Sequence, residues 1–449
     1  MQRLMNKGDL TQGSVVKGLL LFALPIFLGQ LLQQLYHLAD AWVIGNFAGN
    51  NSFAAVSSGN ALTWLIIGFF SGVSIGGGVI ISRYFGAKEE ENIEKAIQNN
   101  FLFGLIASVL ATTVGLLITP QLLVWMQTPE EVMPYSLTYF TVYFGGVSTI
   151  IMYNFCMSIM RALGDSVHPL YYLVVSSVAN VVLDLLFVAV FKWDVAGAAI
   201  ATVISQGLSV VLCLIQMLKE KKTYHLDLKA LRLDKGIMKE ILVQGLPTGV
   251  QNAVISVGNL VIQGNINAFG AFAMAGHGAY SKIEGFVFLP ITCLSMALPT
   301  FVSQNLGAKK YDRAKKGAAF GTICAMVLAE AVGMILLVVG KQALGFFVDT
   351  AESIVYGQID IGIVAPFFFL LSFSHCAAGV MRGCGKSTVP MVTMLAFWCG
   401  LRIVYVTTAV YLNPVYQMIS WAYPLTWACS SAVFALFLLR SDWVHAFDR

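Results

Sequence analysis

Charge is what this 449-residue chain has little of. Asp, Glu, Lys and Arg make up 11% of it, against 57% hydrophobic residues, and mean hydropathy is +0.76. Soluble domains carry roughly 25% charged residues, so most of this protein's surface faces something other than water. Histidine is scarce as well, and the six histidines form no metal-ligand cluster. The eight cysteines (Cys156, Cys213, Cys293, Cys324, Cys376, Cys384, Cys399 and Cys429) fall almost entirely within apolar runs and show no paired spacing. They read as small core residues, not as a disulfide or zinc framework. No nucleophile–base pair and no Gly-x-Ser-x-Gly motif supports an intramembrane enzyme, and no cofactor is expected. Gly76-Gly77-Gly78 lies mid-run, where small residues let backbones approach closely; it is not a phosphate loop.

Apolar stretches of about 20 or more residues, each long enough to cross a bilayer as a helix, recur along the chain. They run over 16–45, 53–82, 93–118, 132–156, 167–191, 196–218, 238–265, 273–302, 315–340, 354–379, 388–410 and 416–439. The expectation is an all-α membrane protein of twelve transmembrane spans. The first run is too long for a signal peptide's apolar region and carries Asp40, so it is expected to stay as a span. Basic residues sort by side. All but four of the 27 Lys and Arg (the exceptions being Lys192, Lys282, Lys341 and Arg402) flank every second connection. The positive-inside rule then puts both termini in the cytoplasm of a cell-membrane protein. Recurrence at every second loop also argues against a nucleic-acid patch.

The chain repeats itself. Ser82-Arg83-Tyr84-Phe85-Gly86-Ala87-Lys88 is echoed by Ser303-Gln304-Asn305-Leu306-Gly307-Ala308-Lys309. Met160-Arg161-Ala162-Leu163-Gly164-Asp165-Ser166, followed by Pro169, is echoed by Met381-Arg382-Gly383-Cys384-Gly385-Lys386-Ser387 and Pro390. These corners lack P-loop spacing, so ATP is not expected as the energy source. Pro25 and Pro247 match at nearly the same offset. Two halves follow: an N-lobe of spans 1–6 (1–218), a cytoplasmic linker (219–237) and a C-lobe of spans 7–12 (238–449). With six spans each, the halves are parallel repeats related by a pseudo-twofold axis along the membrane normal. The linker region mixes Leu226, Leu228, Leu231 and Leu233 with basic residues and reads as a segment lying along the membrane surface.

An ionisable group within a span costs at least a few kcal/mol, so it reads first as functional. Asn180 and Asp184 are i,i+4 neighbours on one helix face. About 15 residues from Pro169, at 1.5 Å each, place Asp184 in the outer half of the membrane, and Asp40 lands at a similar height. Two carboxylates beside an amide suit a hard cation, and the pair shares a proton if no metal is bound. The positions matching Asp184 and Asp40 in the second half are Tyr405 and Ile262, which places ion coupling in the first half. Within the second half, Glu284, Arg402, Glu330 and Lys282 are possible substrate or polar-site residues. Glu284 and Arg402 read alternatively as a structural ion pair, and Lys282 as a snorkelling lysine. Asp360 reads as wet, near a helix end; His37 reads as tuning Asp40 or merely packed; His277 and His375 read as core.

At these residues the chain resembles the multidrug and toxic compound extrusion (MATE) family over essentially its whole length. The carriers are the duplicated Gly-Ala-Lys turns and the Arg-Ala-x-Gly-Asp corner with its Arg-Gly-x-Gly-Lys counterpart. The resemblance implies an antiporter that expels cationic, amphipathic compounds by rocking two six-helix lobes, driven by Na⁺ or H⁺. It further implies, after DinF-like members, a coupling site of Asp40, Asn154, Asn180, Asp184 and Thr202, with Na⁺ at Asp40, Asn180 and Asp184 if the ion is Na⁺. Pro25 matches the proline linked to bending of the first helix. NorM-like members place acids in spans 7 and 10; here span 7 has none. The expected partners are small organic cations, Na⁺ or H⁺ and the bilayer, with the chain a monomer. A lipid-linked oligosaccharide flippase is the alternative, although only Lys282 and Arg402 are candidates for the basic cavity it needs.

Overall fold

The computed structural model describes residues 8–126, 128–219, 226–228 and 231–448. Apolar runs with no alternation of period two can satisfy their backbone in lipid only as helices, and no strand occurs among the described residues. In the first half the helices are α1 (Val15–Phe47), α2 (Asn50–Ala87), α3 (Glu90–Trp125), α4 (Met133–Gly145), α5 (Val147–Ala162), α6 (Val167–Asp184) and α7 (Asp194–Lys219). In the second half they are α8 (Lys235–Asn267), α9 (Ala271–Gly307), α10 (Tyr311–Gly345), α11 (Ala351–Val364), α12 (Phe368–Gly383), α13 (Thr388–Met394), α14 (Arg402–Leu412) and α15 (Gln417–Arg440). A π-helical segment, Leu185–Val190, continues α6, and a second, Leu395–Leu401, joins α13 to α14. Taking the pair α4 and α5, bent by 43°, as one span, eleven spans among the described residues are long and apolar enough to cross a membrane. The twelfth, α8, has 33 residues, but Gln244, Gln251, Asn252, Asn259 and Gln263 lower its hydropathy.

The two halves repeat their backbone as well as their letters. Lys88 and Lys309, last residues of the Gly-Ala-Lys turns, both take the left-handed conformation (φ 60° and 56°). Gly164 and Gly385 end the arginine corners at φ 83° and 77°, where a side chain would be strained. In each corner the glycine N–H donates to the arginine carbonyl, Gly164 to Arg161 at 2.9 Å and Gly385 to Arg382 at 3.0 Å.

Packing groups the chain into two units. One contains Leu28–Gly249 with Met1–Asp9; the other contains Leu10–Phe27 and Val250–Arg449. Lobe boundaries read from chain order thus differ from packing, which exchanges the first parts of α1 and α8. Each helix changes unit two residues past its proline, Pro25 or Pro247, where the ring removes a backbone hydrogen bond. In the first unit, Arg83 pairs with Glu240 at 2.5 Å, and Asn99 Oδ1 accepts the Asp234 N–H at 3.0 Å. The Gly76-Gly77-Gly78 run meets Gly245, Asn100 and Ser158, so close approach is its role. In the second unit, Arg313 donates to the carbonyls of Leu10, Gln12 and Gly13. Of the linker leucines, Leu226 is buried while Leu228 and Leu233 are exposed; residues 220–225 and 229–230 lie outside the described residues.

Candidate functional site

Span 1 contributes Asp40 through α1, and span 5 contributes Asn180 and Asp184 through the last turns of α6. Both α6 residues are fully buried, and the π-helical segment begins directly after Asp184. A π-bulge widens the helix and is frequent at functional sites. The carboxyl groups of Asp40 and Asp184 lie close enough to act on each other electrostatically. Two ionised carboxylates cannot bond, since both only accept. Meanwhile no donor reaches Asp184 Oδ1 or Oδ2, Asp40 Oδ1, or Asn180 Oδ1, all of them buried. Buried oxygens are rarely left in that condition, because each such group costs about 1–3 kcal/mol. The donor set is all oxygen and doubly acidic. It fits a small hard cation or one shared proton.

Tyrosines complete the surroundings. Tyr36, one helical turn before Asp40, and Tyr139 of α4 are both buried and within electrostatic range of both carboxylates. The side chains of Gln33 and Gln206 lie near the Tyr36 hydroxyl. The i,i+4 spacing to Asp40 was the sequence signal for Tyr36; Tyr139 carried none. His37 stacks beside Tyr36, ring centroids 4.2 Å apart. Of the other residues the family resemblance implies, Asn154 Nδ2 donates to the Ile150 carbonyl at 2.9 Å, and Thr202 Oγ1 to the Ala198 carbonyl at 3.1 Å. Each keeps an oxygen able to accept or coordinate, but neither hydrogen bonds to Asp40 or Asp184.

The second unit differs from several expectations. Asp360 is not wet: it is 2% exposed and fully bonded. Ser420 Oγ donates to its Oδ1 at 2.6 Å, Tyr416 Oη to its Oδ2 at 2.7 Å, and His277 Nδ1 lies 2.9 Å from Oδ2. The loop-proximal position misled the sequence reading, because the ends of two other helices close over it. His277 therefore belongs to a polar network as well as to the core. Glu284 and Arg402 form no ion pair. Tyr280 Oη donates to Glu284 Oε1 at 2.9 Å, whereas Arg402 donates twice to Thr426 Oγ1 and lies 4.7 Å from the Tyr423 ring centroid. Glu330 Oε2 accepts the Phe369 N–H at 3.2 Å, bracing the break between α11 and α12 at Ala365–Phe367. Lys282 is exposed, with Nζ 5.5 Å from the Phe347 ring centroid. His375 packs between Phe288 and Trp398.

Comparison with known proteins agrees with the duplicated architecture. The MatE family model matches residues 25–186 and again 247–408, each match opening on one of the paired prolines. The probable multidrug resistance protein YpnP of Bacillus subtilis is 28% identical over 396 residues, 88% of each chain. The multidrug export protein MepA of Staphylococcus saprophyticus is 24% identical over 395 residues, 88% of this chain and 86% of its own. Among solved structures, a MOP superfamily transporter from Pyrococcus furiosus has the same fold at TM-score 0.91, with 20% identity over 99% of both chains. With both halves matched over most of their length, this chain belongs to the MatE family.

Proposed function

We propose that this chain is a secondary multidrug exporter of the cell membrane that expels cationic amphipathic compounds in exchange for Na⁺ or H⁺, with both termini in the cytoplasm. The multidrug resistance and export proteins similar to it support the substrate class. The observation that carries the coupling site is the Asp40–Asp184 pair, three of whose carboxylate oxygens are buried with no donor. Asp40 and Asp184 bear the charge, Asn180 adds an amide oxygen, and Asn154 and Thr202 are the next oxygens available. Occupancy by Na⁺ or H⁺ neutralises the pair and weakens its hold on an organic cation. Competition for one negative charge makes the coupling reciprocal, about 1–3 kcal/mol in typical cases. Pro25 frees α1 to bend as the occupant changes.

The test is efflux of a fluorescent cationic dye from proteoliposomes under Na⁺ and H⁺ gradients imposed separately. The wild type should run on one gradient, and Asp184→Asn and Asp40→Asn should abolish gradient-driven export. Full activity in both variants sinks the coupling site. Absence of dye movement under either gradient favours the flippase alternative.

A further inference from the structure

The arginines of the two repeated corners, Arg161 and Arg382, stand at matched positions 221 residues apart and share an uncommon condition. Arg382 is only 8% exposed and Arg161 half-buried, and the Nε atoms of both side chains are buried without an acceptor. Neither arginine takes part in an ion pair among the described residues. Near Arg161 lies the Tyr153 hydroxyl, and near Arg382 lie the Cys376 thiol and the His375 ring; none of these is an acidic side chain. Guanidinium cannot shed its proton to escape this environment. Buried charges are ordinarily paired, and breaking such a pair is strongly destabilising. Each arginine lies in the last turn of its helix, α5 or α12, where the helix dipole attracts a cation. That attraction is much smaller than the cost of burying an unpaired charge. A counter-anion from outside the chain would supply the difference.

The corner's surroundings name the kind of anion. Both corners lie on the side that carries the basic loops, at the end of a span, where anionic headgroups of the facing leaflet are at hand. A planar fork of N–H donors matches a phosphate group in geometry as well as charge. The two corners are unequal. In the first, Asp165 brings a carboxylate into the turn and accepts the N–H groups of Val167 and His168 at 3.1 Å. At the matched place in the second stands Lys386, which keeps the same backbone bond, N–H to the Met381 carbonyl as Asp165 to Met160, but carries a cation, its Nζ 5.3 Å from the Phe437 ring centroid. We propose that Arg161 and Arg382 each bind a phosphate group at the loop end of its half, with the Arg382–Lys386 corner the tighter site.

Two sources carry that group, a phospholipid headgroup and free phosphate, and titration of the full-length protein separates them. Retention of dioleoylphosphatidylglycerol is measured by native mass spectrometry, with and without millimolar inorganic phosphate. Bound lipid is expected in the wild type, with affinity reduced tenfold or more in Arg382→Gln, severalfold in Lys386→Ala and less in Arg161→Gln. Displacement by inorganic phosphate assigns the site to free phosphate, and persistence of the lipid assigns it to the headgroup. Lys386 is only half-buried, so its variant serves even if Arg382→Gln misfolds. Wild-type affinity for both lipid and phosphate in folded Arg382→Gln, or in Lys386→Ala, overturns the proposal.

Discussion

The two halves share their helices, turns and corner glycines, yet treat buried acid in opposite ways. In the first, Asp40 and Asp184 face each other with orphaned oxygens. In the second, Asp360 has its oxygens occupied by Ser420, Tyr416 and His277. Asp360 also occupies the repeat position of Tyr139, 221 residues on, so the halves trade acid for phenol at one place in the fold. At Asp184's matched place the second half has Tyr405. A carboxylate without donors is available to an exchanging ion, whereas one with every oxygen filled ties helix ends together. Duplication thus supplied one scaffold, and side-chain satisfaction separated the site from the brace.

Substitutions test this division, beginning with the greatest effect. Asp184→Asn should abolish gradient-driven dye efflux, at least tenfold, while leaving the thermal midpoint near wild type. A large loss of stability with efflux kept would invert the division. Asp360→Ala should do the reverse. Removing a buried charge from its partners costs about 3–5 kcal/mol. A lower unfolding midpoint is expected, with transport per folded molecule within about threefold of wild type. Tyr36→Phe takes one hydroxyl from beside the Asp40–Asp184 pair, and a single buried polar partner is worth about 1–3 kcal/mol. Its apparent affinity for the driving ion should fall by about tenfold with maximal rate less affected; unchanged affinity would remove Tyr36 from the site. The smallest effects are expected at the turns. Lys88→Gly and Lys309→Gly relieve a left-handed side chain in each half, and each should stabilise by up to about 1 kcal/mol. Equal gains in chemical denaturation would mark the turns as equivalent, and a gain in one alone would break the equivalence.

Much of the fold was legible from one chain. Low charge, runs long enough to span and two repeated motifs suffice for a duplicated helical membrane protein, because lipid permits few other ways to satisfy a backbone. Span-edge residues were read less well. Asp360 lies nine residues into α11, and only the approach of α9 and α15 reveals that it is sealed. Glu284 and Arg402 looked complementary by charge, but each found a hydroxyl partner on another turn. Helical period and depth estimate which residues share a face and a height; they do not say which neighbour arrives first.

By itself the sequence determined the twelve runs, the repeat, the gathering of basic residues at alternate connections and the shared helix face of Asn180 and Asp184. All of these depend on composition and on helical period, which are local quantities. Tertiary structure alone decided that Tyr139 joins Asp40 and Asp184, that Asp360 is satisfied, and that α1 and α8 change packing unit past their prolines. Those outcomes depend on which side chains from distant spans compete for the same buried hydrogen bonds. Such competition is settled only when the helices pack.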